Sequence, residues 1–255
     1  MIIDAPNRSQ IPELRSLWQE AFDDTEEVVD DFERTAFHTD RCRCAVTDGK
    51  VAAALYWFDC LHMGRRIAYV YAVATAKAYR RQGIGHELME DTHRHLEKLD
   101  YEGVILVPGS KELFRYYEGM GYRTCSTIRE FSCTAVKGEE EVLLRSIDRT
   151  EYAQLRRQLL PQGGVVQENE NLDFLQTQDM LYAGPSFLLA AEKDGDRLFG
   201  VELLGDETKA PEIVSALGCV QGTFRVPGEG KPFAMYRSLK ESALPAPIYF
   251  GLAFD

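Results

Sequence analysis

Residues 80–86 of the sequence, Arg-Arg-Gln-Gly-Ile-Gly-His, combine two cations with glycines at alternate positions. Glycine has no side chain, so successive backbone N–H groups around Gly83 and Gly85 can point at one anion. The guanidinium groups of Arg80 and Arg81 stand beside the same place and can add charge-assisted contacts to phosphate. These residue types at this spacing therefore predict a diphosphate site.

Two familiar phosphate-binding loops do not fit this segment. A P-loop needs Lys followed by Ser or Thr after its glycines, whereas Ile84-Gly85-His86 stands here. A dinucleotide fingerprint needs a third glycine, which this segment lacks. Both nucleotide classes are therefore excluded, and the diphosphate of another ligand is expected.

The elements on either side of the loop predict how it is positioned. Residues 66–74 (RIAYVYAVA) carry no charge after Arg66, as a strand that is buried on both faces does. Residues 85–99 form an amphipathic helix with Leu88, Met89, Thr92 and Leu96 facing inward. The loop thus connects a central strand to the start of a helix, whose dipole also favours an anion.

Hydrophobic periodicity predicts further elements around this unit. Before it we expect helices at 10–22 and 25–37, with Ser9 and Thr25 as N-caps, and a hairpin of strands 42–47 and 51–60 across Asp48-Gly49. After it we expect a strand at 103–107, a helix at 111–119 and an extended segment at 122–133.

The charged segment 136–141 (VKGEEE) is predicted to link two domains, residues 1–137 and 138–255. In the second domain we expect strands at 142–147, 187–192, 198–204, 233–239 and 248–254, helices at 151–160 and 211–217, and turns at Gly222, Gly228 and Gly230. The order of elements repeats that of the first domain in weaker form. An internal duplication is therefore expected, although no stretch of sequence repeats.

The loop resembles motif A of the GCN5-related N-acetyltransferase (GNAT) superfamily, whose pattern Arg/Gln-x-x-Gly-x-Gly/Ala is met by Arg80, Gly83 and Gly85. Downstream, residues 113–122 (LFRYYEGMGY) are similar to the family's Leu-Phe-x-x-Tyr-x-x-x-Gly-Phe segment. The resemblance covers roughly residues 1–135. It implies an α/β fold with a mixed, largely antiparallel central sheet flanked by helices, followed by a smaller α/β domain that is a degenerate GNAT-like repeat.

The resemblance implies acetyl-CoA as co-substrate and transfer of its acetyl group to an amine. The backbone of the central strand would pair with pantetheine at Ala72, Val73 and Ala74. The loop would hold the diphosphate through Arg80, Arg81, Gln82, Gly83, Ile84, Gly85 and His86. Tyr117 aligns with the tyrosine that many relatives use as general acid, since a phenol can donate to sulfur without carrying charge. A packing role for the Tyr117 ring is the alternative.

The group that takes a proton from the amine is left open. Residues 66–74 contain no carboxylate, whereas many relatives present a glutamate on or beside this strand. Candidates are Asp59, the acids of the first two helices, water beside Tyr69 or Tyr71, and the terminal carboxylate of Asp255. The last follows from a resemblance to tandem acetyltransferases related to the enhanced intracellular survival proteins, in which the chain terminus reaches the active site. An ordinary edge strand that ends at the surface is the alternative.

Charge narrows the class of acceptor. The 29 basic and 41 acidic residues leave a net charge of -12, which disfavours nucleic acid. Residues 20–33 contain eight acids and no base, and the resemblance places them beside the acceptor. We therefore predict that a cationic small-molecule or peptide amine contacts the acids Asp23, Asp24, Glu26 and Glu27. Acidic helix surfaces also serve solubility alone, so this alternative stays open.

Other classes of site and location are less favoured by the sequence. No stretch approaches the roughly 18 apolar residues of a membrane helix, and the start lacks a signal peptide, so a cytoplasmic protein without membrane partners is expected. Six cysteines match no zinc-ligand spacing, and His93 and His95 are interpreted as surface residues, so no metal site is predicted.

A non-catalytic acyl-CoA-binding or sensor protein is the alternative function, and a partner-binding scaffold is a third. The number of subunits stays open, with a homodimer as one option.

Overall fold

Strands and helices alternate along the computed structural model, which describes residues 1–138, 142–241 and 244–254. The strands are β1 (Ile2–Asp4), β2 (Cys42–Thr47), β3 (Lys50–His62), β4 (Arg65–Thr75), β5 (Gly103–Leu106), β6 (Arg123–Thr134), β7 (Arg145–Ser146), β8 (Val166–Gln167), β9 (Met180–Ala183), β10 (Phe187–Asp194), β11 (Arg197–Gly205), β12 (Gln221–Pro227) and β13 (Lys231–Ser238). The α-helices are α1 (Ile11–Phe22), α2 (Glu26–Thr35), α3 (Ile84–Lys98), α4 (Lys111–Glu118), α5 (Arg149–Leu159), α6 (Glu170–Gln178) and α7 (Ala210–Ala216).

The chain divides into two compact units that exchange segments of sequence. The first unit comprises Met1–Arg123 and Met235–Ala246, and the second comprises Thr124–Ala234 and Pro247–Asp255. This division differs from the predicted one at 137/138, because almost all of β6 belongs to the second unit and the last residues of β13 belong to the first. The assignment of catalysis to residues 1–137 and of a degenerate role to 138–255 stays a prediction.

The first unit is built on an antiparallel run of four strands, β1 to β4, followed by one parallel pair, β4 with β5. Residues Met235–Ser238 of β13 then pair antiparallel with β5. The ring of Tyr236 lies where a Cβ on Gly103 would be, so glycine is needed at that position of β5. The inward face of α3, predicted from Leu88, Met89 and Leu96, is buried against this sheet.

The second unit repeats this plan. Strands β7, β9, β10 and β11 form an antiparallel run, β11 pairs parallel with β12, and β12 pairs antiparallel with β6. Helix α7 connects the parallel pair here, as α3 does in the first unit. The predicted α/β class with largely antiparallel sheets flanked by helices is therefore confirmed, and the repeated order of elements agrees with duplication.

Several local predictions are wrong. Residues 248–254 are not a strand; they dock in the second unit through hydrogen bonds from Phe250 N to Ser126 Oγ (3.1 Å) and from Gln167 Nε2 to the Leu252 carbonyl (2.6 Å). The predicted strand 142–147 is reduced among its described residues to the two residues of β7, and part of the predicted linker, residues 139–141, lies outside the described residues.

One predicted helix N-cap and one predicted turn also differ from the structure. Helix α1 has Gln10 rather than Ser9 at its N-cap, without a side-chain cap, whereas Thr25 caps α2 as predicted and accepts from Val28 N. Gly222 lies inside β12 rather than in a turn. Within the described residues, none of the helices is long and apolar enough to cross a membrane.

Candidate functional site

The loop between β4 and α3 leaves the first turn of α3 open. Gly83 is the N-cap residue with φ of 80°, and no side chain caps the helix. Arg81 has a positive φ of 63° as well. A left-handed residue just before a helix turns the backbone N–H groups into a concave nest, and the unpaired N–H groups of the first turn extend it. This geometry fits a diphosphate.

The side chains of the loop surround this nest differently. Those of Arg81, Gln82 and His86 are exposed, whereas Ile84 is buried in the core and offers the site only its backbone. The Arg80 guanidinium donates from Nε to the Thr75 carbonyl at 2.9 Å, which fixes its stem against the end of β4. Its remaining N–H groups can therefore serve an anion without a large loss of side-chain freedom.

Strand β4 separates from β5 beside the loop. Their parallel ladder runs from Ile67↔Gly103 to Tyr69↔Ile105, whereas β4 continues to Thr75. The register with β3 shifts in the same stretch, and Ala72 has a φ of 47°. This bulge and separation give an extended ligand access to the backbone of residues 72–74, which fits the predicted pantetheine contact.

Two hydroxyl groups that were not predicted from the sequence lie near the start of α3. A Cβ on Gly85 would lie 3.0 Å from Thr75 Oγ1 and 3.5 Å from the Tyr116 hydroxyl. Gly85 therefore keeps the space between β4, α3 and α4 clear. Tyr116 could have been noticed from sequence, because it precedes Tyr117 in the second signature and carries a polar end.

Tyr117 lies on α4 and is 6% exposed. Its ring contacts those of Tyr116 and Tyr122 at centroid distances of 5.2 and 5.6 Å. Burial raises the pKa of its hydroxyl above the ordinary value of about 10. The group therefore stays protonated at neutral pH, as a general acid must.

An aromatic cluster covers the opposite face of β4. Tyr71 is half-buried, and its ring lies 5.5 Å from Trp18 and 5.7 Å from Phe58, measured between centroids. Phe32 of α2 joins them at 6.0 Å from Tyr71. Helices α1 and α2 therefore present aromatic faces toward the strand beside the Ala72 bulge.

The four acids predicted to bind the acceptor fall into two groups. Asp24 accepts a hydrogen bond from Trp18 Nε1 at 2.7 Å, and Glu26 pairs with Arg15. Asp23 and Glu27 are exposed.

Arg15 also pairs with two other acids of α2, Asp30 at 2.7 Å and Glu33 at 3.3 Å. One guanidinium thus faces three carboxylates, so the rim of α1 and α2 keeps an excess of negative charge. Part of the acidic run holds the two helices together.

Of the candidate bases, Asp59 lies away from the bulge, whereas Glu20 of α1 accepts a hydrogen bond from Lys77 N at 2.6 Å, just beyond the end of β4. Asp59 accepts from the Tyr101 hydroxyl and pairs with Arg41 (3.6 Å) and Arg66 (3.5 Å). It lies opposite Ala68 in the ladder, four residues before Ala72 and so roughly 13 Å along the strand. Asp255 lies outside the described residues. The described residues bring together no group of three or more His, Cys, Asp or Glu side chains suited to a metal ion.

The second unit has a carboxylate on its own central strand, but this group is internally satisfied. Glu202 of β11 is fully buried and accepts from Arg156 Nε at 2.7 Å and from Nη2 at 2.9 Å. The hydroxyls of Tyr152 and Tyr249 each donate to it at 3.0 Å. These four hydrogen bonds from three residues occupy the Glu202 oxygens, so Glu202 belongs to a structural ion pair and is not a free base.

Comparison with known proteins agrees with this geometry. Residues 3–125 match the family model described as "Acetyltransferase (GNAT) domain". No curated protein matches the sequence significantly. The matched segment contains the loop, α3 and α4, so acyl transfer is the class of reaction that the family supports, and proteins of this fold bind acetyl-CoA generally.

Solved structures with the same fold extend over nearly the whole chain. A GCN5-related N-acetyltransferase from Anabaena variabilis is 14% identical, covers 94% of this chain and 73% of its own, and has a TM-score of 0.74. Eis1 from Mycobacterium abscessus is 10% identical, with coverages of 94% and 74% and a TM-score of 0.69. A tandem GNAT protein from the clavulanic acid biosynthesis pathway is 10% identical, with coverages of 95% and 100% and a TM-score of 0.59. Residues 3–125 thus match the GNAT acetyltransferase domain by sequence, and the chain as a whole shares the fold of solved GNAT proteins.

Proposed function

We propose that the chain transfers an acetyl group from acetyl-CoA to a primary amine of a cationic small-molecule or peptide acceptor. The observation that carries this proposal is the open first turn of α3 beside the place where β4 leaves β5. A nest of main-chain N–H groups next to a split strand pair suits a ligand that joins a diphosphate to an extended amide-containing arm. Coenzyme A has this chemistry.

The donor site in this proposal uses mostly backbone. The nest from Arg81 to His86 holds the diphosphate, and the exposed guanidinium groups of Arg80 and Arg81 add charge-assisted contacts. The backbone of residues 72–74 pairs with the pantetheine amides. Because most contacts are main-chain groups on rigid elements, the site needs little rearrangement to bind.

In the proposed reaction, acetyl-CoA supplies an acyl thioester. The acceptor nitrogen attacks the thioester carbonyl, the carbon–sulfur bond breaks, and the Tyr117 hydroxyl gives its proton to the departing sulfur. The nitrogen releases its extra proton to water or to Asp255, this choice stays open, and a proton from solvent restores the Tyr117 hydroxyl.

The acceptor side is proposed to be the face of β4 that α1 and α2 cover. We propose that the half-buried Tyr71 ring contacts the acceptor cation, and Asp23 and Glu27 offer exposed carboxylates at the rim. The excess of carboxylates over Arg15 supports attraction of a polycation, which would raise its encounter rate at low salt. A neutral amine would gain little from either feature.

Turnover can be followed as free thiol released from acetyl-CoA in the presence of polyamines, aminoglycosides, lysine-rich peptides and uncharged amines. We expect Tyr117→Phe to lower kcat by about 100-fold, because general acid catalysis contributes this much or more. Its affinity for acetyl-CoA should stay unchanged, since the ring still packs. Tyr182→Phe, on β9 of the second unit, is the matched control.

Each outcome decides between functions. Acceptor-dependent turnover that collapses only in Tyr117→Phe supports the proposal. Binding of acetyl-CoA without turnover on any amine would favour the acyl-CoA sensor instead. A chain that binds no acetyl-CoA would contradict both.

A further inference from the structure

Two hydroxyl groups from different elements converge on one point at the start of α3. Thr75 is the last residue of β4, and Tyr116 lies on α4, 40% exposed. Both oxygens lie within 3.5 Å of the place where a Cβ on Gly85 would be. They therefore lie beside Gly85, in the first turn of α3.

Among the described residues, neither hydroxyl takes part in a hydrogen bond. The hydrogen bonds among the described residues engage the carbonyl of Thr75, through Arg80 Nε at 2.9 Å, but not its side chain. The Tyr116 ring packs edge-on against Tyr117, at 5.2 Å between centroids, and leaves its polar end toward Gly85. The two polar ends thus lie beside the first turn of a helix that has no side-chain cap.

We propose that the hydroxyls of Thr75 and Tyr116 donate hydrogen bonds to the diphosphate of the acyl-CoA donor, closing the nest from the β4 side and the α4 side. This inference rests on the proposed function and adds two side-chain contacts to a site otherwise made of backbone and arginine. Glycine at position 85 then has a defined purpose, because any side chain would stand between the hydroxyls and the ligand.

The chemistry of both groups suits this role. A threonine hydroxyl rotates to direct its hydrogen, and burial raises the pKa of Tyr116, so its phenol keeps its proton at neutral pH. Hydrogen bonds to a charged acceptor are about twice as strong as those between neutral groups. A purely structural role would need only the methyl group of Thr75 and the ring of Tyr116.

The experiment separates the hydroxyls from the shapes that carry them. Affinity for coenzyme A is measured by calorimetry on the full chain and on Thr75→Val and Tyr116→Phe, each of which keeps the packing and removes one oxygen. We expect Kd to rise about tenfold or more in each variant, since a hydrogen bond to a charged group contributes that much. Thr75→Ser, which restores a hydroxyl, should recover most of the affinity.

The controls are hydroxyl deletions elsewhere. Thr47→Val removes an oxygen that is buried without a partner among the described residues, and Tyr182→Phe removes one in the second unit. Neither should change the Kd for coenzyme A. Inorganic pyrophosphate serves as a competitor. It should displace coenzyme A from the wild type at lower concentrations than from variants that have lost their diphosphate contacts.

Three results are decisive. A tenfold weaker Kd in both variants with intact controls supports the inference. A Kd within about twofold of wild type in both variants overturns it and leaves the proposed function in place. A wild-type chain that binds no coenzyme A overturns the proposed function itself, and this inference with it.

Discussion

At the scale of single residues, the candidate donor site depends on backbone conformations that side chains normally avoid. The glycines at 83 and 85 are visible in the sequence, and so is the anion site they imply. The positive φ of Arg81 (63°) and Ala72 (47°) is not visible. An L-residue in this region loses roughly 1–2 kcal/mol, so only tertiary context can impose it, and no local pattern reports that context.

Gly83 and Gly49 form a matched pair for testing the loop. Both have positive φ, 80° and 77°, and a Cβ on either would meet nothing within 4 Å. We expect Gly83→Ala and Gly49→Ala to lower the free energy of unfolding by a similar amount, on the order of 1 kcal/mol, because each strains the backbone alike. Only Gly83→Ala should weaken binding of coenzyme A, as calorimetry would show. Equal affinities for coenzyme A in the two variants would contradict a role of the loop in binding this ligand.

The acids predicted to bind the acceptor also depend on contacts that the sequence does not show. The sequence shows an acidic run in residues 20–33, but it does not show which cations pair with these acids. Arg15 lies 11 residues before Glu26 and draws it, Asp30 and Glu33 into one cluster. Whether Asp23 and Glu27 contact the acceptor stays a prediction.

At the scale of elements, periodicity predicted the helix that follows the loop but not what its polar residues do. His93 of α3 was expected at the surface and is 2% exposed. Its Nε2 lies 2.7 Å from the Tyr122 hydroxyl and its Nδ1 lies 2.8 Å from Arg237. Arg237 belongs to β13 and is 144 residues away in sequence, so no window around His93 could indicate this partner.

This buried contact predicts a dependence of stability on pH. Burial first, and the Arg237 cation second, lower the pKa of His93 to about 4 in the folded chain. The unfolded chain, with an ordinary histidine pKa near 6.5, takes up the proton earlier. The free energy of unfolding should therefore fall as pH decreases from about 6.5 to about 4, by a total on the order of 3 kcal/mol from this residue.

Denaturant unfolding at a series of pH values checks this expectation. His93→Gln removes the titrating ring, so its unfolding free energy should decline less over the same range. The control is His86→Gln, which replaces a histidine that is exposed on the loop. Identical slopes in wild type and His93→Gln would contradict the assignment.

Tertiary packing explains the elements that the sequence patterns did not predict. Gly222 suggested a turn, yet it lies within β12, where a Cβ would come within 2.7 Å of the Phe224 ring and 2.5 Å of Val214. The glycine is there for close packing rather than for a bend. Helix α6 and strand β9 lie in a stretch whose apolar residues show no clear period, so tertiary contacts decide their form.

At the scale of the whole molecule, the existence of two units could be predicted and their sequence boundaries could not. The charged segment 136–141 looks like a linker because composition reports solvent exposure. Composition cannot report that Met235–Ala246 returns to the first unit. That return is determined by strand pairing between Met235–Ser238 and β5, a contact separated by more than 100 residues.

We therefore expect residues 1–137 alone to lack a cooperative thermal unfolding transition. They would expose the edge of β5 and lose Met235, which is fully buried, from the core. The same fragment joined by a flexible linker to residues 235–241 should regain cooperative unfolding in calorimetry. A version with residues 235–241 in scrambled order is the control, and cooperative unfolding of the bare fragment would show that β13 is dispensable.

The return of the chain to its first unit also bears on how the protein is made. A ribosome releases residues in order, so β1 to β5 emerge well before the strand that completes their sheet. The growing chain must hold this incomplete edge from the emergence of Leu106 until the emergence of Ser238, a delay of roughly 7 to 26 seconds at about 5 to 20 residues per second. Nascent chains of this protein are therefore expected to depend on chaperones that shield open strand edges during translation.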